Sequence, residues 1–207
     1  MIQTKGYAAQ APDKGLSPWN FERHDIGPHD VQIAIAYCGV CHTDLHQINN
    51  DREPGTFPMV PGHEIVRMIA GAGSHVKKFK AGNVAGVGVM VDSCRACEDC
   101  QNGQEQFCVF SPVQTSNSRD HDGLSAYGGY PNNIVANEDF THRISEKLNV
   151  AAVAPLLCAG ITTYSPLRRR SKTPAPDIRV RRQAPRLKVR KPRLDRWQDF
   201  YTGTQSK

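Results

Sequence analysis

Between Cys38 and His46 the chain reads Cys-Gly-Val-Cys-His-Thr-Asp-Leu-His, a short stretch holding two thiols, two imidazoles, a hydroxyl and a carboxylate. Thiolate and imidazole together suit a borderline-soft metal such as zinc, which binds deprotonated sulfur and ring nitrogen. A helical turn starting near Cys41 crowds several of these groups around one point. A second concentration lies farther on, where Cys94, Cys97, Cys100 and Cys108 are separated by two, two and seven residues. Two-residue gaps let neighbouring thiolates reach one ion through a tight turn, and the last thiolate closes a tetrahedron. Four sulfur ligands leave no open position, so zinc held there is structural. Paired disulfides and an iron–sulfur cluster are the other readings of such spacing. Cys158 stands apart in an apolar run, where by itself it reads as a buried core cysteine.

These groups need elements to position them. From Asp30 to Tyr37 the chain alternates, with Val31, Ile33 and Ile35 on one side and Gln32, Ala34 and Ala36 on the other. That period of two predicts a half-buried strand leading directly into the Cys41 cluster. Residues 42–49 read as a short helix, and Asp51 to Pro61 as a loop rich in Pro and Gly. Gly62 permits a close backbone turn, after which His63 and Glu64 head an apolar strand reaching Ala70. Gly71-Ala72-Gly73 lacks the third glycine of a dinucleotide loop and reads as a turn between strands, and Gly86-Val87-Gly88 falls in a Val-rich strand pattern. Tyr127 to Tyr130 predicts a turn, Ile134 to Ala136 a strand, and Asn149 a cap for the apolar segment Val150 to Leu157. The first thirty residues show turn formers at Pro12, Gly15, Pro18, Gly27 and Pro28, with short apolar pieces between them.

A chain of 207 residues has room for one good-sized domain, or one domain and an appendage. An odd count of seven cysteines in two tight clusters argues against a secreted disulfide framework. No apolar run at the N-terminus resembles a signal peptide, and none approaches a membrane span of roughly 20 residues. A soluble, reducing, cytoplasmic setting is the expectation. The net charge of +6 conceals a division, because residues 168–207 carry 14 Lys and Arg against 3 Asp, whereas residues 1–167 carry 12 basic and 17 acidic side chains.

Taken together, residues 1–167 resemble the N-terminal catalytic domain of zinc-dependent medium-chain alcohol dehydrogenases, most closely the cinnamyl-alcohol-dehydrogenase-like, NADP-linked aldehyde reductase branch. The resemblance rests on Tyr37 to His46, on Pro61-Gly62-His63-Glu64, on the four-cysteine lobe, and on Pro155 to Leu167. It implies a mainly β, GroES-like fold with short helices. It assigns a catalytic zinc to Cys41, His63 and Cys158, a structural zinc to Cys94, Cys97, Cys100 and Cys108, and leaves Cys38 in the core. It implies that Thr43 hydrogen-bonds the substrate oxygen and His46 relays its proton, that Asp44 orients the zinc-bound histidine, and that Glu64 lies beside the metal. The implied substrates are small aldehydes or primary alcohols, with NADP(H) as hydride carrier.

Departures from that pattern are Arg67 where glycine is expected, Asn83 where aspartate is expected, and Ala85 in place of valine. The resemblance stops at Leu167, where a Rossmann domain carrying Gly-x-Gly-Gly-x-Gly is expected. Residues 168–207 read instead as a basic, Arg- and Pro-rich tail that cannot bury enough apolar surface to order itself. Such a break is what a frameshifted or truncated gene product gives, and a chain of this kind is expected to be inactive without a cofactor domain. The alternatives are a non-catalytic zinc-binding protein, or nucleic-acid binding through the tail, expected only as non-specific attraction to polyanions. Val153, Leu156, Leu157, Ile161 and Leu167 are expected to lose part of their cover without a cofactor domain against them.

Overall fold

The computed structural model describes residues 1–52 and 54–170. The chain opens with an antiparallel ribbon of β1 (Ile2–Ala9) and β2 (Leu16–Arg23). The strand expected before the cysteine cluster is β3 (Asp30–Cys38), and it delivers the chain into α1 (His42–Asn49). After a loop come β4 (Ile65–Ala72), β5 (Val84–Val87) and β6 (Met90–Asp92), then the short helix α2 (Glu98–Gln101). The short strands β7 (Val113–Gln114), β8 (Ser118–Arg119) and β9 (Ser125–Ala126) lead to β10 (Asn133–Asn137) and β11 (Thr141–Arg143). Helices α3 (Val150–Val153) and α4 (Ala159–Arg170) flank a 3-10 segment at Ala154–Leu157. The fold is therefore mainly β with short helices, as expected.

An antiparallel five-stranded sheet in the order β10-β3-β4-β5-β11 forms the body. Val31, Ile33, Ile65, Ile69, Val87 and Ile134 fill its core together with Phe79, Ala85 and Ala136. The alternation of β3 accounts for Val31 and Ile33, both fully buried. Its pairing with β4 shifts register between Gln32 and Ile33 and again between Ile35 and Tyr37. Such bulges bend a strand and re-aim its end, here just before the cysteines.

The amino-terminal ribbon was not legible in its turn-rich sequence. In a two-stranded ribbon each strand keeps one open edge, so Pro18 sits opposite Tyr7 without breaking a shared ladder. Arg23 anchors the ribbon by donating to the carbonyls of Tyr127, Gly128 and Asn133. Trp19 and Phe21 stack at 4.9 Å, and Tyr127 meets Phe21 edge-on at 4.6 Å.

The three departures are accommodated. Arg67 lies opposite Ile35 and Ala85 in the sheet, and its side chain is exposed. Asn83 closes the turn after Lys80 by accepting that residue's N–H at 3.1 Å. Ala85 is fully buried in the core.

The cap at Asn149 is present, its side chain accepting the Ala152 N–H at 3.2 Å. The expected loss of cover is only partly seen. Val153 and Leu157 are buried against Val66 and Ile144, because α3 and the 3-10 segment pack onto β4. Ile161, in contrast, is 40% exposed. Helix α4 runs on to Arg170, so the first three residues of the expected tail, 168–170, continue a helix instead, because the helical backbone begun at Ala159 extends through them. The rest of that expectation, 171–207, lies outside the described residues.

Glu138 ties the end of β10 to the loop before Phe79, with Oε2 accepting the N–H groups of Lys77 and Lys78 at 2.9 and 2.8 Å. Burial opposes its ionisation, but these two donors outweigh burial and hold the carboxyl below its ordinary value. A carboxyl depressed on folding stabilises the protein above its unfolded pKa, and the effect is lost as pH falls through the folded pKa. Glu138→Gln is expected to cost about 1–3 kcal/mol at pH 7. In urea melts the gap from the unaltered protein should shrink progressively as pH falls below the ordinary glutamate range. A gap that persists in acid would contradict the assignment.

Candidate functional site

The bulged end of β3, the N-terminus of α1, the turn at Gly62 and the segment before α4 converge. They bring donor atoms of Cys41, His63, Glu64 and Cys158 within 4.8 Å of one another. Cys41 and Cys158 are 117 residues apart in sequence, yet their sulfurs lie 3.9 Å apart. Two sulfurs each about 2.3 Å from a tetrahedral zinc stand about 3.8 Å apart. The donor set and its spacing therefore fit zinc.

Asp44 organises the cluster from beneath. It is 1% exposed. Its carboxylate accepts the Cys41 N–H at 2.8 Å and the Gly62 N–H at 2.9 Å, and meets Nδ1 of His63 at 3.3 Å. The Tyr130 hydroxyl reaches the same carboxylate at 3.5 Å. With Nδ1 committed to Asp44, Nε2 of His63 is the nitrogen left for a metal. Gly62 has φ +105, and a Cβ there would lie 2.6 Å from the Tyr130 ring and 2.8 Å from the Cys38 sulfur. Only glycine fits that turn comfortably.

The site attracts positive charge. Burial works against ionising Cys41, yet the N–H and hydroxyl of Thr43 and the His63 ring outweigh it and hold the thiol below its ordinary value. Burial also opposes a charged His63, but Asp44 and the two thiols push its pKa up to about 11. Burial pushes Glu64 up to about 7, and its Oε2 is buried with no hydrogen-bond partner among the described residues. An acceptor buried without a partner is costly, and a cation among these donors would relieve it. Cys38 is different. It packs against the core, and burial pushes its thiol up to about 12, which suits an un-ionised core residue.

On the open side, the Thr43 hydroxyl lies 3.6 Å from the Cys41 sulfur. His46, one turn along α1, meets Oδ1 of Asp51 through Nδ1 at 2.6 Å. Asn50 adopts φ 57, which ends the helix and turns the chain so that Asp51 comes back against His46. The sequence points to Thr43, His46, Asp44 and Glu64 but not to Asp51 or Tyr130. The Asn50-Asp51 pair at the end of a predicted helix was the one available signal for Asp51.

The second cluster is local. Cys94, Cys97, Cys100 and Cys108 also place one donor atom each within 4.8 Å of one another. The sulfurs of Cys94 and Cys100 are 3.8 Å apart, again the tetrahedral spacing. Backbone N–H groups of Cys100 and Val109 pull the Cys97 thiol down to about 6. Arg95 fastens the lobe to the body, bonded to Asp92 and placed over the Phe140 ring at 5.4 Å.

This architecture matches a known family. Residues 27–146 match the model of the alcohol dehydrogenase GroES-like domain, and the chain belongs to that family. A probable mannitol dehydrogenase of Fragaria ananassa is 47% identical over 166 residues, covering 80% of this chain and 46% of the relative. Cinnamyl alcohol dehydrogenase 2 of Rauvolfia serpentina is 47% identical over 167 residues, covering 81% and 46%. The solved structure of CAD from Helicobacter pylori, complexed with NADP(H), superposes with a TM-score of 0.80 at 46% identity, covering 83% of this chain and 50% of that one. The chain thus spans about half the length of the relatives it matches. No single helix among the described residues is long and apolar enough to cross a membrane.

Proposed function

We propose that residues 1–167 form the zinc-bearing catalytic domain of an NADP-linked alcohol dehydrogenase acting on small aldehydes and primary alcohols. The observation that carries this reading is the convergence of Cys41, His63 and Cys158, with the Thr43 hydroxyl 3.6 Å from the Cys41 sulfur and His46 one turn further along α1. Two thiolates and an imidazole are a catalytic rather than a structural ligand set for zinc, because one position is left for substrate. When bound, zinc would supply Lewis-acid polarisation of a carbonyl or hydroxyl oxygen.

The chain's own residues do the rest. Asp44 fixes the His63 ring and, through the Cys41 and Gly62 N–H groups, the two backbone segments that carry two of the ligands. Thr43 Oγ1 is the hydroxyl placed to hold a hydrogen bond to the substrate oxygen. His46 then carries the proton outward, with Asp51 holding Nδ1 and steadying the ring. The four-cysteine lobe is proposed as a structural zinc site with no open position. Thiolate metal ligands in place of disulfides suit a reducing cytoplasm.

Hydride transfer needs a nicotinamide held against the substrate. Among the described residues there is no parallel βαβ unit to hold one. The 207-residue chain by itself is therefore expected to show negligible NADPH-linked reduction of benzaldehyde or cinnamaldehyde. Joining residues 1–167 to the nucleotide-binding domain of a cinnamyl alcohol dehydrogenase relative should restore turnover. Thr43→Val in that chimera should lower kcat/KM about 100-fold or more. A zinc-loaded, folded chimera without turnover would instead favour a non-catalytic zinc-binding protein. Any nucleic-acid role belongs to the tail of 168–207, which lies outside the described residues from 171 onward.

A further inference from the structure

Carboxylates meet histidine rings at three places among the described residues, loosely at His29, whose Nδ1 lies 3.8 Å from Glu138, and closely at two others. Asp44 meets Nδ1 of His63, and Asp51 meets Nδ1 of His46. In the second case the arrangement has a neighbour, because His42 and His46 are four residues apart on α1 with ring centroids 4.7 Å apart. Residues at that spacing lie on one helix face, and two histidines so placed are a recurrent metal-binding pair. His42 is exposed and the His46 side chain is 21% exposed, so the pair stays open to solvent. The carboxylate on Nδ1 leaves Nε2 of His46 as the free nitrogen and strengthens it as a ligand. We propose that His42 and His46 bind a second kind of metal ion, a divalent transition metal held weakly on the first turns of α1 that follow Cys41, and that occupancy of this site is inhibitory.

The chemistry separates it from the thiolate clusters. Two imidazoles with water completing the shell suit Zn²⁺, Ni²⁺ or Cu²⁺, but without thiolate charge the affinity is modest. Binding would occupy the ring through which the proton is proposed to leave. The inhibition, though not the metal binding, therefore rests on the proton-relay role proposed for His46.

The test uses the full chain with both thiolate clusters loaded with zinc. Titration with Ni²⁺ and, separately, with Zn²⁺ in a calorimeter is expected to show one further equivalent with a dissociation constant on the order of 10 μM. Ni²⁺ should broaden the ring proton resonances of His42 and His46 selectively in NMR spectra. His42→Gln alters an exposed helix residue and should weaken this equivalent at least about tenfold, and Asp51→Asn should weaken it about 10- to 100-fold. His121→Gln, outside helix α1, should change nothing. No further equivalent below about 1 mM, or one that survives His42→Gln, would overturn the site. In the active chimera, Ni²⁺ inhibition lost in His42→Gln would support the regulatory role. Binding without inhibition would overturn that role and leave the metal site standing.

Discussion

Cys158→Ala is expected to lower bound zinc from two ions per chain to one, matching the two donor clusters of the structure. The remaining ion should be the one held by the four-cysteine lobe. The two clusters differ in how they are assembled. The lobe draws all its ligands from Cys94 to Cys108, within one turn-rich loop tethered by Arg95. The other joins segments 117 residues apart, and its Cys158 is carried on the short link between the 3-10 segment and α4. Its geometry exists only while the sheet, α1 and the α3 region stay packed together. A chelator should therefore strip the Cys41–His63–Cys158 site first, and timed release into a colorimetric zinc indicator should resolve a fast and a slow phase. Release in one uniform phase would refute the inequality. Retention of both ions by Cys158→Ala would refute the ligand assignment.

Asp44→Ala is expected to be the most damaging single change outside the ligands themselves. The carboxylate is buried and serves two backbone N–H groups and the His63 ring. Each donor left buried without a partner costs about 1–3 kcal/mol, so a total of about 3–5 kcal/mol is expected. At roughly 2–4 °C per kcal/mol for a chain of this size, the melting temperature should fall by about 10 °C. Zinc at the Cys41 cluster should also bind about 10- to 100-fold more weakly, because the His63 tautomer is no longer held. Asp44→Asn keeps the shape and one acceptor, so it should recover part of the stability and little of the zinc affinity. Equal melting temperatures for Asp44→Ala and the unaltered chain would show that Asp44 does not organise the cluster.

Local chemistry was legible from residues alone. The alternation of β3 and the apolar run of β4 follow from which side chains must leave water, and β3 formed where its pattern placed it. Strand β4 instead starts two residues later than expected and takes in Gly71 and Ala72, read from the sequence as a turn, because both pair with β3. The cap at Asn149 and the short helix after Cys41 are settled by neighbours a few residues away, so they too could be read. The four-cysteine lobe belongs to the same class, since its spacing lets one loop close around one ion. The cluster at Cys41 does not. By itself Cys158 reads as a core cysteine, and only the family resemblance linked it to Cys41. What brings the two sulfurs to 3.9 Å is the register of β3 on β4, the two bulges that turn β3 toward the site, and the packing of α3 and the 3-10 segment on Val66 and Ile144. The same packing buries Glu64 with an oxygen unpartnered among the described residues and keeps Cys38 out of the donor cluster, though Cys38 lies three residues from Cys41. The ribbon of β1 and β2 is not legible in the residues because its turn formers and polar positions carry little periodicity, and it is anchored by Arg23 and the aromatic contacts of Trp19, Phe21 and Tyr127. Residue spacing along a chain determines which groups one turn can bring together. Contacts between distant segments depend on sheet register and core packing, and those are properties of the whole fold.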